Sequence, residues 1–180
     1  NSLADILSGK VSPSGKLPMT FPIRYEDAAS SKNFPVIEAE EAVNIYREFF
    51  TGAKGVDRPN VDYTLYEEGI FVGYRYFDSF DVATAYPFGY GLSYTDFKYS
   101  KPICVKTDVG YEFSCTVTNS GKVPGKEVVQ LYVAAPGLDM VKPEKELRAF
   151  AKTRLLAPGE SETVKMVVKK SDLSSFDESS

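Results

Sequence analysis

Apolar residues recur along this 180-residue chain with two different periods. Near the start, Leu3, Ile6 and Leu7 have helical spacing and Gly9 follows them, which predicts the last turns of a helix. Over residues 38–50 the apolar positions recur at i, i+3, i+4 and i+7, which predicts an amphipathic helix. After residue 97 the period becomes two, which is typical of strands with one buried face. The chain is therefore expected to change its architecture near Thr95.

The part before this change is punctuated by turn residues and is rich in aromatic side chains. Residues 16–21 predict a short strand that Pro18 would place at a sheet edge. Residues 52–60 contain two glycines and a proline and predict an exposed loop. Half of all the Tyr and Phe residues lie between Tyr63 and Phe97, which makes this the most unusual stretch of the sequence.

The part after the change predicts regular short strands separated by marked turns. The turns are expected at Asn119-Ser120-Gly121 and at Ala157-Pro158-Gly159, whose residue types tolerate sharp reversals. Such spacing favours an antiparallel β-sandwich. The predicted strands cover residues 97–106, 111–118, 127–135, 146–155 and 162–169.

Composition and charge exclude several functions. The net charge is −4 and the Lys and Arg residues are scattered among acids, so no nucleic acid or anionic membrane is expected as a partner. No apolar run approaches the length of a membrane span. His is absent, which removes Ser-His and Cys-His nucleophile pairs and leaves carboxylates or tyrosines for any chemistry. A chain that opens at Asn1 is expected to be cut from something longer, so localisation stays open.

The two cysteines, Cys104 and Cys115, are too few for a disulfide scaffold and lack the spacing of a zinc site. If Val109 and Gly110 form a two-residue hairpin turn, the two cysteines face each other and a cross-strand disulfide is conceivable. Two buried free thiols are the favoured alternative.

Six motifs of the chain resemble a known family. The segments LADILSGKVSPSGKLPMTFP at 3–22, YEEGIFVGYRYFDSF at 66–80 and AYPFGYGLSYTDF at 85–97 are similar, in this order, to the part of glycoside hydrolase family 3 that closes its α/β sandwich domain. The segments TNSGKVPGKEVVQLYV at 118–133, KPEKELRAFAKTRLLAPGESETV at 142–164 and DLSSFD at 172–177 resemble the fibronectin type III-like domain of that family.

The resemblance implies a fold for each part of the chain. Residues 1–96 would be the C-terminal portion of an α/β sandwich domain, and residues 97–180 an all-β fibronectin type III-like, immunoglobulin-like sandwich. In the family, two more strands follow the motif that resembles DLSSFD. The sandwich is therefore expected to lack its last strands, and further residues or another chain would supply them.

The resemblance also implies an activity for the parent protein. Family members are retaining exo-glycosidases, most often β-glucosidases, that use an Asp on a TIM barrel and a Glu on the α/β sandwich, about 5 to 5.5 Å apart. Neither catalytic motif is present here, so the chain alone is expected to be inactive, with no cofactor or metal. Its partners would be the TIM-barrel domain and the rest of the α/β domain, either in the same chain or as another chain, and the substrate would be an oligosaccharide or aryl β-glycoside. The alternative is a carbohydrate- or partner-binding module without chemistry of its own.

Four residues of the aromatic stretch are candidates for the wall of the substrate pocket: Tyr66, Glu68, Arg75 and Asp78. Carboxylates among aromatic rings suit a sugar, since the rings cover its face and the acids accept its hydroxyls. In the favoured alternative, Glu68 and Arg75 form a partly buried ion pair while the rings pack between the two parts of the chain.

Two further features have structural interpretations. Gly89 and Gly91 lack the third glycine and the helix of a phosphate-binding loop and instead predict a tight passage of the chain. The basic residues that alternate with acids further on predict a solvated face. They are Lys142, Lys145, Arg148, Lys152 and Arg154.

Overall fold

The structure, a computed structural model, describes residues 2–32, 66–136 and 140–175, together with the backbone of residues 36–38 and 58–60. Its described part is rich in strands and contains little helix. The helix predicted over residues 38–50 lies outside the described residues except for Glu38, whose backbone belongs to a strand. We call residues 2–96 the N-terminal segment and residues 97–175 the β segment.

The N-terminal segment consists of short elements. They are α1 (Ser2–Leu7), β1 (Phe21–Pro22), 3-10 turns at Tyr25–Asp27 and Ala29–Lys32, β2 (Val36–Glu38), β3 (Arg58–Asn60), α2 (Tyr74–Ser79) and β4 (Thr84–Tyr86). Strand β1 pairs with β4 and β2 pairs with β3, both antiparallel.

Two predictions for this segment need correction. The strand expected at 16–21 keeps only Phe21, because Pro18 lacks an N–H. The loop expected at 52–60 ends in β3.

The β segment forms two antiparallel sheets. Its strands are β5 (Phe97–Tyr99), β6 (Ile103–Lys106), β7 (Gly110–Asn119), β8 (Val128–Val133), β9 (Glu146–Lys152) and β10 (Ser161–Lys169). Strand β7 pairs with β10 along one edge and with β5 and β6 along the other, while β8 pairs with β9. The single strand predicted over 97–106 is therefore two strands, because the chain is interrupted before Pro102.

A hydrophobic core lies between the two sheets of the β segment. In β10, Val164, Met166 and Val168 are buried while the residues between them are exposed, as the period of two predicts. Val164 and Met166 belong to a cluster with Val117 of β7, Val129 of β8 and Leu156. Val117 and Leu156 are 0% exposed, so the centre of this cluster is closed to solvent.

The cysteines do not face each other. The turn after β6 contains four residues, because the N–H of Thr107 donates to the carbonyl of Gly110 at 2.8 Å and the N–H of Gly110 donates to Thr107 Oγ1 at 3.2 Å. This longer turn places Cys104 opposite Phe113, two residues from Cys115. Both thiols are free; Cys104 is exposed and Cys115 is half-buried, so the prediction of two buried thiols was wrong for Cys104.

The N-terminal segment is attached to the β segment by an ion pair with little solvent exposure. Lys16 Nζ lies 2.8 Å from Glu127 Oε1, and the two side chains are 22% and 10% exposed. The same oxygen accepts the N–H of Val128 at 2.7 Å. Beside this pair, Gly91 runs so close to the carbonyl of Gly15 that a Cβ would lie 2.3 Å from that oxygen. The predicted role of Gly91 in a tight chain passage is confirmed.

Asn119 connects the end of the N-terminal segment to the core. This fully buried side chain accepts a hydrogen bond from Thr95 Oγ1 at 2.6 Å and donates from Nδ2 to the carbonyls of Val123 and Leu156, both at 2.8 Å. Its Oδ1 also accepts the N–H of Gly121. The Asn119 amide therefore connects three parts of the chain. Without it, the polar groups that it contacts at Thr95, Val123 and Leu156 would lose a hydrogen-bonding partner.

Candidate functional site

Helix α2 carries Arg75 and Asp78, two of the four residues that the sequence singles out, together with aromatic side chains. It begins after Gly73, whose φ of 58° is accessible to glycine at little cost, and it ends at Ser79. Its apolar side places Phe77 in a buried position and lets Phe80 contact the ring of Phe71 at 5.1 Å and that of Tyr76 at 5.3 Å. This aromatic cluster fixes the helix, so its polar side faces the β segment.

Two side-chain oxygens of α2 accept backbone N–H groups at and just before the start of β9. Tyr74 Oη accepts the N–H of Leu147 at 2.8 Å, and Ser79 Oγ accepts the N–H of Glu144 at 2.9 Å. The ring of Tyr74 also contacts that of Tyr132 in β8, with centroids 5.9 Å apart. The prediction that aromatic residues pack between the two parts of the chain is confirmed by this contact.

Two ion pairs extend the same interface. Arg75 Nη2 lies 3.0 Å from Glu146 Oε1, and Lys145 Nζ lies 3.2 Å from Asp78 Oδ2. Arg148 contacts the other oxygen of Glu146, so that carboxylate bridges two guanidinium groups. The predicted pairing of Arg75 with Glu68 was wrong, because α2 lies against β9 and brings Glu146 within reach.

The four predicted pocket residues separate into two pairs. Arg75 and Asp78 take part in the interface with β9, whereas Tyr66 is 88% exposed and Glu68 is half-buried near the start of the described stretch. The structure therefore does not gather the four side chains around one point.

A cavity of about 310 Å³ lies where α2, the residues after β4, β8 and the start of β9 meet. The ring of Tyr74 packs against that of Phe88, with centroids 4.7 Å apart, and Tyr132 Oη donates to Gln130 Oε1 at 2.8 Å. Burial raises the pKa of Tyr132, and the nearby Tyr74 and Asp78 raise it further, so this phenol stays protonated near neutral pH. The lining residues are Tyr74, Asp78, Pro87, Phe88, Gln130, Tyr132 and Lys145.

Of the seven residues that line this cavity, only Asp78 was predicted from the sequence as a pocket candidate. Gln130 and Tyr132 lie within a strand predicted only for its apolar alternation, and Lys145 was assigned to a solvated face. Lys145 pairs with Asp78 at 3.2 Å while its side chain stays 39% exposed, so it lines the cavity and also contacts solvent. No local signal in the sequence marks these residues, because their partners are distant along the chain.

The two carboxylates of the site are each paired with a cation: Asp78 with Lys145 and Glu146 with Arg75. Within the described residues, no group of three or more Cys, Asp or Glu side chains is placed to hold a metal ion. No helix among those residues is long and apolar enough to cross a membrane.

Two family profiles match the chain. The Glycosyl hydrolase family 3 C-terminal domain matches residues 1–74, and the Fibronectin type III-like domain matches residues 127–180.

Curated relatives match over nearly the whole chain. The sequence is 38% identical to Beta-glucosidase BoGH3A of Bacteroides ovatus over 98% of the chain and 42% identical to Beta-glucosidase A of Butyrivibrio fibrisolvens over 97% of it. These matches cover 22% and 20% of the two relatives. The chain therefore spans about a fifth of the length of the curated relatives that it matches.

Solved structures give the same result. The chain is similar to β-glucosidase 3B from Thermotoga neapolitana, solved in complex with glucose, with a TM-score of 0.79 and 43% identity over 97% of this chain and 22% of that one. It is also similar to a β-glucosidase from Bifidobacterium adolescentis, with a TM-score of 0.80 and 35% identity over 98% of this chain and 23% of that one.

Proposed function

Because the chain belongs to glycoside hydrolase family 3, we propose that it is the C-terminal accessory part of a retaining β-glucosidase that hydrolyses terminal β-linked sugars in oligosaccharides or aryl glycosides. The observation that carries this proposal is the coverage: β-glucosidases match nearly the whole chain, which spans only about a fifth of them. The catalytic Asp and Glu then lie outside these residues, and this part supports the active site without performing the chemistry.

An exposed apolar surface of the N-terminal segment supports this proposal. Phe21 and Tyr86 are 43% and 48% exposed although their rings contact each other at 6.4 Å. They line a groove of about 570 Å³ together with Tyr90, Leu17 and Leu92. Soluble proteins rarely expose such a contiguous patch unless something binds there. The proposed occupant is the remainder of the same enzyme, namely the rest of the α/β domain and the TIM barrel.

The proposed domain division is 1–96 for the C-terminal portion of the α/β sandwich and 97–180 for the fibronectin type III-like domain. The core of the β segment supports the second unit. Among the described residues β8 pairs with β9 alone, so its other edge is open to further strands. A mainly apolar groove of about 510 Å³, lined by Tyr99, Phe113 and Leu131, lies beside β8 and would be covered by such strands.

Of the four predicted pocket residues, we retain Tyr66 and Glu68 as the proposed wall of the substrate pocket of the parent enzyme. The 88% exposure of Tyr66 supports this role, since its ring is free to contact another domain or a sugar. Arg75 and Asp78 would act indirectly, by holding α2 against β9 through Glu146 and Lys145.

A chimera tests the proposed function. The chain replaces the segment that it matches in β-glucosidase 3B of Thermotoga neapolitana, which is 43% identical. We expect the chimera to hydrolyse p-nitrophenyl β-glucoside and the isolated chain to be inactive. The control is the Thermotoga enzyme without that segment, which should lose activity because the exposed apolar surfaces are left uncovered.

Two results would contradict the proposal. Hydrolysis by the isolated chain would place the catalytic carboxylates here and direct attention to Glu67, Glu68 and Asp78. A chimera that unfolds cooperatively but remains inactive would show that this chain cannot support a family 3 active site.

A further inference from the structure

We propose that the cavity between α2 and the strands β8 and β9 binds one neutral monosaccharide in its ring form. This inference goes beyond the proposed function, because it concerns binding by this chain itself and requires no hydrolysis. It is argued from the size of the cavity, its aromatic walls and the balance of its charges.

The size of the cavity suits a single sugar ring. Its volume of about 310 Å³ lies at the lower end of the range of about 300–1,000 Å³ in which small-molecule sites fall. A single pyranose ring fits within this space, whereas a longer oligosaccharide would extend beyond it. The cavity is bounded by two parts of the chain, α2 on one side and β8 on the other, so a ligand would contact both.

Aromatic rings supply the apolar wall. Tyr74, Phe88 and Tyr132 line the cavity, and the ring of Tyr74 contacts both of the others, at 4.7 and 5.9 Å between centroids. Because these contacts hold the rings in place, little side-chain freedom is lost when a ligand binds. Ring faces match the C–H face of a pyranose, which an acyclic polyol does not present in a fixed shape.

The polar groups offer both kinds of hydrogen-bonding partner to hydroxyls. Asp78 supplies carboxylate oxygens as acceptors, while the Lys145 ammonium and the Gln130 amide supply N–H donors. Asp78 and Lys145 are 28% and 39% exposed, so their charges are partly withdrawn from water. Their charges cancel, which disfavours an anionic ligand and suits a neutral one.

Titration of the 180-residue chain with D-glucose provides the test. The chain contains 12 Tyr, so fluorine NMR of protein labelled with 3-fluorotyrosine gives one signal for each tyrosine, and Tyr→Phe variants assign the signals. We expect saturable binding with a Kd on the order of 1–10 mM that shifts the signals of Tyr74 and Tyr132. Sorbitol and glucose 6-phosphate should each bind at least about 10-fold more weakly.

Matched variants locate the site. Asp78→Asn removes the charge that balances Lys145 and should raise the Kd about 10-fold, whereas Asp81→Asn, the same change just after α2, should leave it unchanged. Circular dichroism verifies that both variants are folded. The spectra of the unsubstituted chain test the proposal even if Asp78→Asn does not fold.

Three outcomes would overturn the proposal: no saturation up to about 100 mM glucose, shifts confined to tyrosines outside the cavity, or tighter binding of glucose 6-phosphate than of glucose. Because the readout is direct binding, its failure is separate from a failure of the chimera to hydrolyse the aryl glucoside.

Discussion

The N-terminal segment and the β segment place their apolar side chains differently. Among the described residues before Phe97, Phe77 is the one hydrophobic residue that is buried, and Leu7, Met19 and Leu92 are more than half exposed. In the β segment Val117 and Leu156 are fully buried within a shared cluster. The difference shows that the β segment has its own core, whereas the N-terminal segment presents surfaces that another part of the protein would have to cover.

The largest expected effect comes from making the same leucine-to-alanine substitution in each of the two segments. Leu156→Ala should lower the free energy of unfolding by about 2–5 kcal/mol, because Leu156 is 0% exposed and its removal leaves a cavity. Leu92→Ala, at a position 67% exposed, should change it by less than about 0.5 kcal/mol. Urea denaturation measures both. Equal effects would mean that the two segments do not differ in packing.

The attachment of the two segments at Asn119 should have the next largest effect. Asn119→Ala leaves the Val123 and Leu156 carbonyls without the amide donor and should cost about 1–3 kcal/mol in urea denaturation. Thr95→Val removes one hydrogen bond of the same group and should cost less. If Thr95→Val were the more harmful change, the amide would not be the centre of this connection.

The ion pair between the segments should contribute less. Glu127→Gln weakens the contact with Lys16 and should cost about 1–2 kcal/mol, since hydrogen bonds to charged groups are worth about 1.5–3 kcal/mol and the amide keeps some of them. It should also speed proteolysis of the N-terminal segment. Glu112→Gln is the matched control, because Glu112 and its partner Lys165 are 36% and 64% exposed, which predicts at most about 1 kcal/mol. Equal costs for the two variants would show that the attachment does not depend on this pair.

The smallest expected effect is a difference in thiol reactivity within the β segment. Cys104 is exposed, whereas burial raises the pKa of the Cys115 thiol and keeps it protonated at neutral pH. A maleimide should therefore modify Cys104 first, and the rate at Cys115 should rise as the pH increases towards its raised pKa. Mass spectrometry of the Cys104→Ser variant isolates the slower thiol. Faster labelling of Cys115 would contradict its placement against the core.

Much of the β segment could be predicted from the sequence. Strands β7 and β10 begin and end within one residue of their predicted positions, because the side-chain period of two is a local property of a half-buried strand. The sequence did not predict the split between β5 and β6 or the four-residue turn at Thr107–Gly110. The length of a turn sets the register of the two strands that it connects. Because this turn has four residues and not two, Cys104 of β6 faces Phe113 of β7.

Helix α2 was not predicted, and the reason is physical. Its six residues are too few to display a helical period, and half of them are aromatic, so composition conceals the pattern. The sequence did mark Arg75 and Asp78 as notable. It could not identify Glu146 and Lys145 as their partners, since about 70 positions separate them and nothing local favours one carboxylate over another.

The sequence by itself determined the family and the alternation that forms the core, because the first depends on an ordered set of motifs and the second on residues that are close together in the chain. Only the tertiary structure decided which charges pair, where the cavity forms and which apolar surfaces stay uncovered. Those properties depend on distances between groups that are remote in sequence, and folding alone brings such groups together.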